Sequence, residues 1–255
     1  MDTNTVTRFR RLARAIALAL LTLALASGCA SSEPPPPEPE AWDPIEPTNR
    51  KIYAFNEQLD RFVAKPLADG YVFITPRFVR TGVTNFFNNM GEPGNALNNV
   101  LQGKPGDGAR DTGRFLINST IGLAGLFDVA TALGMEQNNE DFGQTLAVWG
   151  TPEGAYLVLP AYGPNTTRDV NDIPVSLATN PVTYAGWVIT LPLYALDLVN
   201  TRARLDQAAR FRSEAALDEY DFTRSAYRQY RDNLIWDGEP PEADFFDDLD
   251  DDFDW

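Results

Sequence analysis

The feature that most constrains this chain is an apolar stretch that falls just short of a membrane helix. Residues 181–199 read PVTYAGWVITLPLYALDLV. A spanning helix needs about 20 apolar residues. Here Pro192 interrupts the run and Asp197 sits within it. Proline removes a helical hydrogen bond and clashes with the preceding turn, and a carboxylate in hydrocarbon is costly. The stretch is therefore expected as two helical pieces joined at Pro192, the second running on through 201–211. Tyr184, Trp187 and Tyr194 suit a membrane–water interface; the competing reading is a helix buried in a core.

Glycine and proline divide the rest of the chain in the same way. Ile52, Phe55, Leu59, Phe62 and Val63 recur at helical spacing across 49–64. Thr75-Pro76 opens a helix carrying Phe78, Val79, Val83, Phe86, Phe87 and Met90, which Gly91-Glu92-Pro93 is expected to end. A short helix over 95–102 stops at Gly103, 104–108 reads as a turn, and a helix resumes over 109–120. The run Ile121-Gly122-Leu123-Ala124-Gly125-Leu126-Phe127 is apolar but too rich in glycine for a comfortable helix. Residues 141–149 read as helix, Tyr156 to Leu159 as a strand and 170–180 as irregular. A last helix over 214–233 aligns Leu217, Tyr220, Tyr227 and Tyr230. The expected fold is all-α, built from short and kinked amphipathic helices.

The N-terminus specifies a compartment. Arg8, Arg10, Arg11 and Arg14 precede an apolar run to Ala26, and Leu25 to Cys29 read LASGC. A basic start, a short apolar run and small residues at the cut describe a secretory signal. A cysteine directly after those residues adds a lipidation site: cleavage after residue 28 exposes Cys29, whose thiol receives a lipid. Cys29 is the single cysteine and has no disulfide partner. Residues 29–42 form a proline-rich linker, ASSEPPPPEPE at its centre, suited to extended polyproline II. The helical domain is expected over 43–235. Residues 236–255, with acidic and aromatic residues interleaved, are expected to be disordered.

Charge and composition exclude several activities. The chain carries a net charge of −15, and removing 1–28, with four Arg and one Asp, leaves −18. Phosphates repel such a chain, so nucleic acid is an unsuitable partner. It has no histidine, which removes the commonest general base and metal ligand. Glu92, Asp107, Asp111, Glu140 and Asp141 are the available acid–base candidates, and a solvated acidic face is the simpler reading of them. Asp169-Val170-Asn171-Asp172 lacks the full spacing of a calcium loop. No motif for catalysis, metal or phosphate binding stands out. An apolar excess in short, broken helices suits a domain lying in a membrane face.

Five blocks carry a resemblance. DPIEPTNRKIYAFNEQLD (43–60), VRTGVTNFFNNMGEPGNALNNVLQGKP (79–105), GRFLINSTIGLAGLFDVA (113–130), EDFGQTLAVWG (140–150) and YLVLPAYGPNTTRD (156–169) resemble, in order, the MlaA/VacJ lipoprotein family. The resemblance implies a helical, ring-like, membrane-embedded domain with a central channel, in the inner leaflet of the outer membrane. It implies removal of mislocalised phospholipid from the outer leaflet and its transfer to a soluble periplasmic carrier of the MlaC type. Trimeric porins are the implied partners. No cofactor is implied beyond the lipid on Cys29, and no bond chemistry. By resemblance, 121–150 lines and gates the channel, with Leu123, Leu126 and Phe127 as wall or gate contacts and Gly125 and its neighbours allowing movement; plain core packing is the alternative. Two other functions compete: a structural envelope lipoprotein tethering partners through its tail, and a carboxylate hydrolase acting on the cell wall.

Overall fold

The computed structural model describes residues 42–241. Cys29, the signal, most of the linker and the acidic end of the tail lie outside the described residues. Helix α1 (Glu46–Leu59) runs through a π-turn at Asp60–Ala64 into α2 (Lys65–Ile74). Pro66 cannot donate to the carbonyl one α-turn back, and the Lys65 amide reaches five residues back to Asp60, so the wide turn carries the helix past the proline.

Helix α3 (Arg77–Leu101) is continuous, with Pro93 inside it. The expected break at Gly91-Glu92-Pro93 does not occur. Side chains on both sides of Pro93, from Asn89 to Asn99, are buried along the neighbouring helix α4 (Pro105–Thr120), and tertiary packing overrides the local signal. Gly103, at φ +82°, closes the α3–α4 turn as a left-handed cap. The turn expected at 104–108 is instead the first turn of α4, opened by Pro105. Gly108 is where the two helices cross closely: a Cβ there would lie 2.8 Å from the Val100 side chain.

Residues 121–127 are successive turns, as their glycine content suggested. A one-turn helix α5 (Val129–Ala132) follows, then α6 (Phe142–Val148), capped by Asp128 and Asp141 respectively. Strands β1 (Tyr156–Leu159) and β2 (Gly163–Thr166) form an antiparallel hairpin, with Tyr156 opposite Thr166 and Leu159 opposite Gly163. Residues 170–180 are regular, not irregular: a 3-10 turn leads into α7 (Asp172–Thr179).

The apolar stretch breaks elsewhere than expected. A 3-10 turn at Pro181–Tyr184 ends at Gly186, at φ +84°, and α8 (Trp187–Arg204) then runs unbroken through Pro192. Pro192 is the sixth residue of α8 and costs it the hydrogen bond to the Val188 carbonyl, yet the helix continues through it. Among the described residues no helix is long and apolar enough to cross a membrane. Helix α9 (Asp206–Ala215) and α10 (Glu219–Ile235) complete the chain. Leu217 lies between them, fully exposed, and does not join the α10 face. The first tail residues are ordered: Lys104 donates to Asp237 at 2.6 Å and the Gly238 amide to Asn233.

A conventional core sits under the hairpin. Trp42, Tyr156, Val158 and Tyr220 are buried together, with Ile52, Tyr53 and Tyr227 against them. Two asparagines two helical turns apart on α1 seal the edge of β1. Asn49 pairs with the Tyr156 carbonyl (3.0 Å) and the Val158 amide (2.9 Å). Asn56 pairs with the Leu159 carbonyl (2.9 Å) and the Ala161 amide (2.7 Å). Each side chain supplies the hydrogen bonds of a missing strand.

Candidate functional site

Away from that core the molecule is polar inside and apolar outside. Between α3 and α4 the buried side chains are Asn89, Glu92, Asn95, Asn98 and Asn99 facing Asp111, Arg114 and Asn118. Glu92 and Asp111 are 0% exposed and Glu140 is nearly buried, so the expectation of a solvated acidic face fails for these three. Asp107 and Asp141 are partly exposed at the surface. Burial pushes the Glu92 and Asp111 carboxyls up from their ordinary values.

Arg114 organises this interior. Its Nε donates to Glu92 (2.8 Å), Nη1 to Thr131 (3.0 Å) and to the Met135 carbonyl, and Nη2 to both oxygens of Asp128 (3.3 Å). Asn118 donates to Asp128 (3.0 Å) and accepts from the Ala130 amide (2.9 Å). Burial raises the Asp128 carboxyl, but Thr131, Asn118 and Arg114 more than reverse this and leave it below its ordinary value. The guanidinium thus ties α3, α4 and the segment from Asp128 to Met135 into one buried network.

The segment 121–127 hangs on this network by its backbone. The Gly125 amide donates to the Asn118 carbonyl (2.8 Å), and Asn85 donates to the Leu126 carbonyl (3.3 Å). Leu123, Ala124 and Gly125 all have positive φ, at 53°, 59° and 91°. A Cβ at Gly125 would meet the Asn89 side chain at 2.6 Å, and one at Gly122 the Phe127 carbonyl at 2.2 Å. Close packing and a left-handed turn account for these glycines. Leu123, Leu126 and Phe127 are exposed. They do not pack a core.

Other large apolar side chains are exposed as well. Phe62, Leu67, Phe73 and Ile74 on α2 and the turn before it, Phe78 at the start of α3, and Trp187, Val188, Ile189 and Leu191 on α8 are all exposed. Phe73 is 90% exposed and Trp187 76%. The reading of 181–199 as a buried helix is thereby excluded. Polar contacts tie α8 to its neighbours: Tyr71 on α2 donates to Asn200 (3.1 Å), Asn200 donates to Thr84 on α3 (2.9 Å), and Arg202 grips Asp60 in the π-turn. Single exposed apolar residues are ordinary, but a contiguous set of large ones marks a membrane or partner surface.

A polar cleft of about 310 Å³ opens between α3, α6, α7 and α10. Asn95, Asn98, Glu140, Asp141, Asp172 and Arg231 line it. Arg231 donates to both Asp141 oxygens and lies 3.0 Å from Asp169. Asp169 also accepts from Tyr227 (2.9 Å) and Arg168 (2.8 Å), so its side chain is occupied by this chain's own donors. Among the described residues no group of three His, Cys, Asp or Glu is placed to hold a metal.

The interior network had a signal that apolar periodicity overlooks. Polar residues at 89, 92, 95 and 99, and at 111, 114 and 118, repeat every three or four positions, as the buried face of a helix does.

The comparisons with known proteins agree with one another. The family model described as MlaA lipoprotein matches residues 41–234. A protein of Rickettsia bellii is 37% identical over 198 residues, covering 77% of this chain and 78% of its own. The intermembrane phospholipid transport system lipoprotein MlaA of Escherichia coli is 33% identical over 202 residues, 77% of this chain and 80% of its own. The lipoprotein of the same name from Haemophilus influenzae is 32% identical over 212 residues, 80% and 83%. A solved structure described as the structural basis for maintenance of bacterial outer membrane lipid asymmetry matches with a TM-score of 0.68 at 29% identity, covering 76% of this chain and 98% of that one. Fold and sequence together establish that the chain belongs to the MlaA lipoprotein family.

Proposed function

We propose that the chain is an outer-membrane lipoprotein that takes mislocalised phospholipid from the outer leaflet and passes it to a soluble periplasmic carrier, so maintaining lipid asymmetry. The observation that carries this reading is the inversion of polarity: large apolar side chains on α2, α8 and the 121–127 segment surround an interior of amides and ion pairs. Such a body is stable with hydrocarbon outside, and its polar interior offers a head group a path that lipid tails do not. Relatives named as phospholipid transport lipoproteins support the same reading.

In this reading the helices enclose an amphipathic channel. Leu123, Gly125, Leu126 and Phe127 stand at its wall or gate, a trimeric porin is the neighbour in the membrane, and the carrier is of the MlaC type. The body faces the periplasm, anchored through the lipid on Cys29 after removal of 1–28. Movement of lipid along a gradient breaks no bond, so neither catalytic residue nor further cofactor is required.

The test is complementation in a Gram-negative strain lacking its own family member, with outer-leaflet phospholipid labelled at the cell surface. The intact chain should clear surface phospholipid, while Cys29→Ser and Phe73→Asp should leave it there. Correctly localised protein that clears none would overturn the proposal.

A further inference from the structure

The cleft between α3, α6, α7 and α10 has an uneven charge account. Its single lining cation, Arg231, is spent on Asp141 and Asp169. Glu140 accepts from Gln102 (2.8 Å) and pairs with Lys104 (3.3 Å). Asp172 accepts the Phe142 amide (3.0 Å) and the Ser176 hydroxyl (3.2 Å). Among the described residues no Lys or Arg forms an ion pair with it. The lining therefore holds three carboxylates and one cation; Glu140 and Asp141 each have a cationic partner, and Asp172 is the carboxylate left without one. An anionic group entering meets nothing to neutralise it, whereas an ammonium meets Asp172.

Size narrows the ligand further. At about 310 Å³ the cleft is at the lower end of small-molecule sites. It admits a head group and not two acyl chains. Met90 and Gly91 line it one helical position from Asn89, the residue packed against Gly125. The cleft thus lies across α3 from the apolar segment 121–127.

We propose that this cleft receives the ammonium end of a zwitterionic phospholipid head group, with Asp172 as its counter-ion, and so favours ethanolamine lipids over glycerol lipids. The proposal rests on phospholipid transport as the function. Burial already pushes the Asp172 carboxyl up from its ordinary value, and an arriving cation offsets that cost.

The experiment uses the full-length lipidated protein, incubated with vesicles of equal phosphatidylethanolamine and phosphatidylglycerol with matched chains, then reisolated. Bound lipid is measured by mass spectrometry. The intact protein should enrich ethanolamine lipid about fivefold over the vesicle ratio, the weight of one part-exposed ion pair. Asp172→Asn should bring the ratio to that of the vesicles, and Asp172→Lys should reverse it. Asparagine can still accept the Phe142 amide, so the fold is kept. Ser176→Ala, which removes a hydrogen bond but no charge, should leave the enrichment in place. Lipid bound at the vesicle ratio by the intact protein, or enrichment unchanged in Asp172→Asn, overturns the cleft assignment alone. Protein that binds neither lipid overturns lipid transport as well.

Discussion

Under the hairpin, Trp42, Tyr156, Val158 and Tyr220 pack together, with Asp43 buried at their edge, while Arg50 pairs with Glu46, Asp218 and Asp221 at the surface. Between α3 and α4 the same chain buries Glu92, Arg114 and five asparagines, while Phe73 and Phe78 face outward. The hairpin region obeys the ordinary rule for a protein in water, where apolar burial drives folding. The α3–α4 region follows the opposite rule. Its interior is held by hydrogen bonds and ion pairs, whose net worth in water is modest but whose loss in a dry interior is expensive. One chain therefore carries two burial schemes, and in the proposed function the boundary between them separates a water-facing part from a lipid-facing part.

The sharpest way to break this comparison is to remove one arginine from each region. Arg114→Leu strips the partner from buried Glu92 and Asp128, and should cost about 3–5 kcal/mol of stability. Arg50→Leu removes a half-exposed guanidinium, and should cost no more than about 1 kcal/mol. Denaturant midpoints in detergent measure both. Equal losses would mean that the α3–α4 interior is solvated after all.

Alkaline pH separates the regions next. Burial pushes the Tyr156, Tyr220 and Tyr227 phenols up, with Asp43 and Asp169 adding to the effect. A raised folded value means the neutral phenol is favoured in the native state. Its stabilising contribution is fully present below about pH 10, the value in the unfolded chain, and is lost as pH rises through the folded value. One unit above the unfolded value each such phenol weakens the fold by about 1.4 kcal/mol. Helices α3 and α4 contain neither Tyr nor Lys. Hydrogen exchange followed from pH 9 to 11 should therefore lose protection first around β1 and α10, not along α3.

The apolar rim gives a smaller effect, visible only when a membrane is present. Phe73 buries almost nothing in the protein, so Phe73→Asp should leave the melting temperature in detergent within about 1–2 °C. Its partition onto vesicles should weaken by about 1.5–3 kcal/mol, the transfer value of a large apolar side chain. Flotation of the chain carrying Cys29→Ser, so that the lipid anchor does not mask the result, measures this. Unchanged flotation would place α2 away from the bilayer.

These contrasts also explain how much was legible beforehand. Helix content, the hairpin strand at Tyr156 to Leu159 and the absence of a helix at 121–127 follow from local patterns. The expected break at Gly91–Pro93 does not occur because proline's local cost is a few kcal/mol, which packing on both sides outweighs; α8 likewise runs on through Pro192. The buried carboxylates were missed because an acidic residue is usually a surface residue in water. That prior assumes an aqueous exterior. With large apolar residues such as Phe73 and Trp187 left outside, the polar periodicity of α3 and α4 becomes the core signal. No sequence pattern placed Asp172 and Arg231 in one cleft, since that depends on how α7 and α10 pack.

The finest test lies inside the aromatic core itself. The Tyr156 hydroxyl is buried without a hydrogen-bond partner. Its ring packs at 4.9 Å from Trp42, 6.2 Å from Tyr220 and 6.1 Å from Tyr227. Tyr156→Phe keeps those ring contacts and deletes an unsatisfied donor, so stability should stay level or rise by up to about 1 kcal/mol. The Tyr220 hydroxyl differs, because it donates to Asp43. Tyr220→Phe leaves one carboxylate oxygen of Asp43 with Arg224 alone (3.0 Å), and should cost about 1–2 kcal/mol. The two phenylalanine variants thus move denaturant midpoints in opposite directions or by clearly unequal amounts. If both fall together, the hairpin core relies on polar contacts as the α3–α4 interior does, and the division between two burial schemes disappears.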